Sequence, residues 1–202
     1  MSLDLLAALV AFAFVMAITP GPNNAMVLAS GLSFGFRRSI PHMLGISLGF
    51  AFMIAMVGIG LAQVFEHWPV LYTILKYAGA LYMLWLAWAI ATAHGIKEGK
   101  TKGQPLSFLQ AAAFQWINPK AWVIAIGACA AYTSHEHFLF SMAIVVLVFC
   151  VVTLPSIGVW ALCGVGLRRL IGNPRALRAI NVTMALLLVA SLWPIFSDVI
   201  AH

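Results

Sequence analysis

Apolar residues run in blocks that each approach or exceed the roughly 20 residues an α-helix needs to cross a hydrocarbon core, with only short polar punctuation between them. Hydrocarbon offers no partner for a backbone N–H or C=O, so only helices and closed barrels can span it. A barrel needs alternating apolar and polar positions. Stretches such as Met142 to Val152 show no alternation, and a helical bundle follows. Of 202 residues, 63% are hydrophobic and 8% charged, whereas about one quarter of a soluble domain is charged. The expectation is therefore an all-α integral membrane protein with about six transmembrane helices.

Six segments can be traced. The first runs from about Leu3 to Leu32, broken at Thr19-Pro20-Gly21-Pro22-Asn23-Asn24; the second from about Ile40 to Val64; the third from about Val70 to Thr92. The most polar stretch, His94 to Gln104, divides the chain into halves of about 1–93 and 106–202 within a single transmembrane domain. The fourth segment, about Phe108 to Tyr132, contains Asn118-Pro119-Lys120. The fifth runs from about Phe138 to Val165, with Pro155 and Gly158 inside it, and the sixth from about Ala179 to Ile200. No Lys or Arg precedes the first apolar run, so it reads as a retained helix and not a cleaved signal peptide.

Charge tests this layout, because cytoplasmic loops carry excess Lys and Arg. The stretches after segments one, three and five hold Arg37, Arg38, Lys97, Lys100, Lys102, Arg168, Arg169, Arg175 and Arg178, nine of the eleven basic residues. The opposite side holds Asp4, Glu66, Glu136 and Asp198. Both termini are then expected on the periplasmic side of a bacterial inner membrane. Because the basic residues belong to interhelical loops and not to one exposed face, nucleic acid is not an expected partner. Membrane lipid and a small-molecule substrate are, and a homo-oligomer is compatible with such a bundle.

Three spans per half is an odd number, so any structural repeat must be inverted. Each half breaks its first helix, at Pro20-Gly21-Pro22-Asn23 and at Asn118-Pro119-Lys120, and paired broken helices point to a midplane binding site in inverted-repeat transporters. Two prolines around a glycine remove backbone donors and free carbonyls that hydrocarbon cannot satisfy. Thr19, Asn23 and Asn24 are placed to meet them, and the positive end of the half-helix starting near Asn23 suits a carboxylate. Lys120 adds an ammonium, and two placements stand: in the break as part of a site, or snorkelling to the interface on its long stem. Gln115, one turn before Pro119, is expected on or near the side of Asn118. The candidate substrate-binding set is thus Thr19, Pro20, Gly21, Pro22, Asn23, Asn24, Gln115, Asn118, Pro119 and Lys120.

No Asp or Glu lies deep in any segment, which argues against a buried carboxylate relay. A substrate ammonium is then left to freed carbonyls, Asn amides, Thr19 or an aromatic face such as Tyr82, an arrangement suited to a zwitterion. Gly45 and Gly49, with Ser47 between them, read as a close-packing face. His42 reads as a satisfied interfacial histidine, with a proton-linked role as the alternative. His135-Glu136-His137 reads as a wet loop, and Trp85, Trp88 and Trp193 as aromatic-belt residues. Cys129, Cys150 and Cys163 lie in apolar segments without ligand spacing and imply neither a disulfide framework nor a metal site.

Ile18-Thr19-Pro20-Gly21-Pro22-Asn23-Asn24, followed by Gly31, Gly35-Phe36-Arg37-Arg38 and Gly45 through Gly49, resembles the LysE/RhtB superfamily of amino-acid exporters. Gln115-Trp116-Ile117-Asn118-Pro119-Lys120-Ala121-Trp122 resembles that superfamily's second signature, so the likeness covers essentially the whole chain. The resemblance implies secondary, proton-coupled efflux of amino acids or derivatives such as homoserine, threonine, cysteine or O-acetylserine. The first motif is similar to the branch that exports cysteine and O-acetylserine. The chain carries no Gly-rich nucleotide loop of the Lys-Ser/Thr type, in keeping with transport without ATP, and neither enzymatic activity nor a cofactor is expected. The competing reading is efflux of another small solute or a cation, which predicts intramembrane acidic ligands.

Overall fold

The computed structural model describes residues 1–61, 104–134, 136–167 and 174–190, together with residues 67, 68, 70, 73, 74, 77, 80, 81, 84, 85, 87, 88 and 91. Described residues form helices α1 (Leu3–Ile18), α2 (Pro22–Phe34), α3 (Phe36–Met56), α4 (Phe108–Phe114), α5 (Pro119–Tyr132), α6 (Phe138–Leu167) and α7 (Pro174–Ala190), with no strand among them. A single wide turn, Val57–Leu61, extends α3. The described residues of the expected third segment, from Val70 to Ala91, are also helical.

Each boundary has a local cause. Ser2 caps α1 by accepting from the Leu5 N–H at 3.2 Å, with Asp4 in the first, positive turn. Pro22 and Pro119 open α2 and α5 at the position where a missing N–H costs nothing. Ser107 and Gln110 form a reciprocal capping box at the start of α4. Gly35 alone joins α2 to α3, and its φ of 84° lies in the left-handed region that other residues resist. That one-residue joint moves the start of the second expected segment from Ile40 back to Phe36, placing Arg37 and Arg38 in a helical turn and not in a loop. The last helix likewise starts at Pro174 instead of Ala179, so Arg175 and Arg178 are helical. The basic residues Lys97, Lys100, Lys102, Arg168 and Arg169 lie outside the described residues, as do Glu66, Tyr82, Glu98, His135, Trp193 and Asp198.

Two described helices are long and apolar enough to cross a membrane, Phe36–Gly60 and Phe138–Leu167, and α1 with α2 makes a third if that pair, bent by 57° at its break, is counted as one. Phe14, Phe52, Leu147, Val151 and Leu162 point outward, an apolar surface suited to lipid. The protein is therefore a membrane-embedded, all-helical bundle.

Helix α6 is the axis against which α1, α2 and α3 pack. It runs antiparallel to α3, pairing Gly58 with Met142, Phe50 with Phe149, Ser47 with the Cys150 carbonyl at 2.8 Å, and Met43 with Gly158. Lipid supplies no hydrophobic drive between helices, so association depends on close packing of small residues. A Cβ on Gly31 would lie 2.2 Å from the Ala161 carbonyl oxygen, and one on Gly164 2.2 Å from that of Leu28. The backbones of α2 and α6 are thus in direct contact. Gly45 and Gly49 do the same for α3 against α4, facing Phe108, Ala111 and Ala112. His42 is 1% exposed, and neither ring nitrogen has a partner among the described residues.

Candidate functional site

The end of α1 shows how a break is tolerated inside an apolar bundle. A helix C-terminus leaves its last carbonyls without partners, and here each finds one. The Met16 carbonyl accepts from the Thr19 hydroxyl at 3.1 Å, that of Ala17 from Asn24 Nδ2 at 2.9 Å, and that of Ile18 from Trp160 Nε1 at 3.1 Å. The Thr19 carbonyl accepts from both Asn24 Nδ2 at 2.7 Å and Lys120 Nζ at 2.9 Å, and that of Pro20 from Lys120 Nζ at 3.3 Å. Lys120 Nζ also meets the Thr19 hydroxyl oxygen at 2.9 Å. The Lys120 ammonium thus lies against the break at the end of α1.

The second break is built from Gln115–Ile117, a single tight turn, and Asn118, whose side chain caps α5 by accepting from the Lys120 N–H at 3.1 Å. Gln115 is fully buried. Its amide exchanges two hydrogen bonds with Asn23: Asn23 Nδ2 donates to Gln115 Oε1 at 2.8 Å, and Gln115 Nε2 donates to Asn23 Oδ1 at 3.1 Å. Gln115 Nε2 also donates to the Ala111 carbonyl at 2.9 Å.

These bonds follow one crossed pattern. Asn23, just after the proline that opens α2, reaches Gln115 at the end of α4; Lys120, just after the proline that opens α5, reaches Thr19 at the end of α1. A residue just after each break thus grips a residue just before the other.

A cavity of about 40 Å³ lies where the breaks cross, lined by Gly21, Pro22, Asn23, Asn24, Gln115, Asn118 and Lys120 from the two motifs. Thr153 of α6 and the apolar Ile46, Phe50, Phe149 and Ile157 complete the wall facing them. Thr19, Pro20 and Pro119 do not line the cavity; Thr19 and Pro20 touch it through Lys120, and Pro119 through the start of α5. A water needs about 10–15 Å³ of such space, so the cavity has room for a few waters and too little for an amino acid.

Sequence reasoning assigned the freed carbonyls to Thr19, Asn23 and Asn24. Thr19 and Asn24 meet them, whereas Asn23 turns across to Gln115, and Trp160 and Lys120 arrive from elsewhere in the chain. Thr153 was missed: its hydroxyl is buried, unpartnered among the described residues and on the cavity wall. Its sequence signal was a hydroxyl in an apolar run two residues before Pro155. Tyr82, considered for an aromatic contact, lies outside the described residues.

The chain matches the family of LysE type translocators over residues 14–190. It is 34% identical over 192 residues to the cysteine/O-acetylserine efflux protein of Escherichia coli strain K12, covering 94% of this chain and 96% of that protein. The protein of the same name from Shigella flexneri is 35% identical over 188 residues, covering 92% of this chain and 94% of its relative. No solved structure matches the chain. Both broken-helix motifs fall inside the matched region, and with that coverage the chain belongs to the LysE type translocators, a family of membrane-embedded exporters of amino-acid-type solutes.

Proposed function

We propose that this protein exports small zwitterionic amino acids and their derivatives, of the cysteine and O-acetylserine class, across the bacterial inner membrane at the expense of the proton gradient. The observation that carries the reading is the cavity between the two broken helices, lined by amides, a hydroxyl and one ammonium, and by no carboxylate among the described residues. Carbonyls at the end of α1 suit a substrate ammonium, while the N–H-rich starts of α2 and α5 suit a carboxylate. The efflux activity named for the relatives supports the substrate class. Binding residues in this proposal are Asn23, Asn24, Gln115, Asn118, Lys120 and Thr153, with Thr19 and Pro20 acting through Lys120. The crossed pairing supports halves of about 1–93 and 106–202 related as an inverted repeat. Alternating access then consists of opening the Asn23–Gln115 contact toward one side at a time.

The test is efflux of preloaded radiolabelled amino acids and O-acetyl-L-serine from cells with and without the protein, with an uncoupler as control. Uncoupler-sensitive loss of cysteine or O-acetylserine is the expected result. Export of neither by a protein inserted in the membrane removes the substrate assignment. Full activity in both Asn23→Ala and Asn118→Ala removes the site.

A further inference from the structure

Three acceptors surround Lys120 Nζ: the Thr19 carbonyl at 2.9 Å, the Thr19 hydroxyl oxygen at 2.9 Å and the Pro20 carbonyl at 3.3 Å. An ammonium has three donors and no acceptor, so the match is complete. The seat lies at the C-terminal, partially negative end of α1, which adds to its preference for a cation. Gly21 leaves space for the lysine stem, since a Cβ there would stand 3.0 Å from Lys120 Cδ. A substrate's α-ammonium carries the same charge and the same three donors as the group already seated. Two ammonium groups cannot occupy one set of three acceptors, and like charges at contact distance inside a bundle are strongly unfavourable.

Among the described residues, no other titratable side chain lines the cavity. Among the described residues, α1 carries only Asp4, at its opposite end, and α2 and α4 carry no titratable side chain. Helix α3 has Arg37, Arg38 and His42, α5 has Cys129 and Tyr132 besides Lys120, α6 has Cys150 and Cys163, and α7 has Arg175 and Arg178. None of these lines the cavity.

Resting on the export reading above, we propose that the seat at the end of α1 holds one cation at a time, the Lys120 ammonium or the substrate's α-ammonium, and that this exchange couples export to proton entry. On the cytoplasmic side the substrate ammonium takes the three acceptors, the Nζ–H bond of the displaced lysine breaks, and the proton passes to water on that side. The neutral amine and the zwitterion then turn outward together. On the outer side the substrate leaves, Nζ binds a proton from external water, and the ammonium returns to its seat before the protein resets. Each cycle moves one substrate out, one proton in and one positive charge inward.

The test uses the purified full-length protein and O-acetyl-L-serine as probe. In lightly buffered detergent solution at pH 6.5, where the probe's own ammonium stays protonated, binding to the wild type is expected to release about one proton per bound molecule. Binding without release overturns the proposal and needs no variant. In liposomes, Lys120→Gln keeps an amide donor for the seat but carries no proton. Whatever substrate–substrate exchange it keeps after losing a binding residue is expected to be uncoupled, with all accumulation driven by an imposed pH gradient lost and the ratio falling to one. Lys120→Arg is a cation that does not surrender its proton, and exchange is expected to fall tenfold or more. Gradient-driven accumulation at the wild-type ratio by Lys120→Gln, or wild-type exchange by Lys120→Arg, overturns the proposal while leaving the exporter reading intact. A wild type that exchanges no amino acid at all overturns both.

Discussion

Replacing Gln115 by Leu tests whether the contact between the two breaks holds the closed state together. The substitution keeps an apolar-compatible volume but removes the two bonds to Asn23, of 2.8 and 3.1 Å, and the bond to the Ala111 carbonyl. The Ala111 carbonyl keeps its place in the helix, so the main penalty falls on Asn23, whose amide donor and acceptor lose their partner together. A buried polar group left unpaired costs about 1–3 kcal/mol, and because Asn23 is only half-buried the sum for its two groups is about 2–4 kcal/mol. For a chain of this size one kcal/mol corresponds to about 2–4 °C, so the melting temperature in detergent is expected to fall by about 4–16 °C. Asn23→Leu should behave alike. The double variant removes both amides and leaves no orphan, so it should be no less stable than either single variant, which makes the coupling at least about 2–4 kcal/mol. The measurement is a thermal melt of all four proteins in one detergent. Strictly additive losses, or single-variant shifts below about 2 °C, would refute the claim that this pair closes the site.

Three further outcomes follow from the packing. Gly31→Ala places a methyl 2.2 Å from the Ala161 carbonyl oxygen, so α2 and α6 must separate; a loss of about 1–3 kcal/mol is expected in the same melt, and an unchanged melting temperature contradicts the backbone contact. Thr153→Val removes a buried hydroxyl that has no partner among the described residues; stability should hold or rise while the half-saturating concentration for O-acetylserine export rises severalfold, and unchanged transport removes Thr153 from the site. His42→Leu removes two buried, unpartnered nitrogens, each a cost of about 1–3 kcal/mol when unpaired, so the variant should melt at or above the wild-type temperature; a drop of more than about 5 °C would show that the ring is held by interactions the described residues do not supply.

How much of this was legible in the sequence depended on how local the cause was. The break in the first helix, the break before Lys120 and the run of α6 through Pro155 follow from proline chemistry and apolar length, and each stands within a few residues of its expected place. Boundaries set by a single dihedral were less legible. Gly35 could have sat in a loop of several residues, and only its φ of 84° makes it a one-residue joint that pulls Arg37 and Arg38 into α3. The close packing of Gly45 and Gly49 was readable as a pattern of small residues, while its partners on α4 were not.

The sequence by itself determined that the chain lives in a membrane, that it is helical, that two proline breaks interrupt it, and to which family it belongs. Those properties come from length, hydropathy and residues adjacent along the chain. Tertiary structure alone decided which break partners which: that Asn23 spends its amide on Gln115, that Lys120 crosses from the second half to seat its ammonium on Thr19 and Pro20, and that Trp160 and Thr153 arrive from α6. The physical reason is that an orphan carbonyl in hydrocarbon requires a donor but does not specify its source. Neighbouring side chains can supply it, and so can one about a hundred residues away that packing brings within 3 Å.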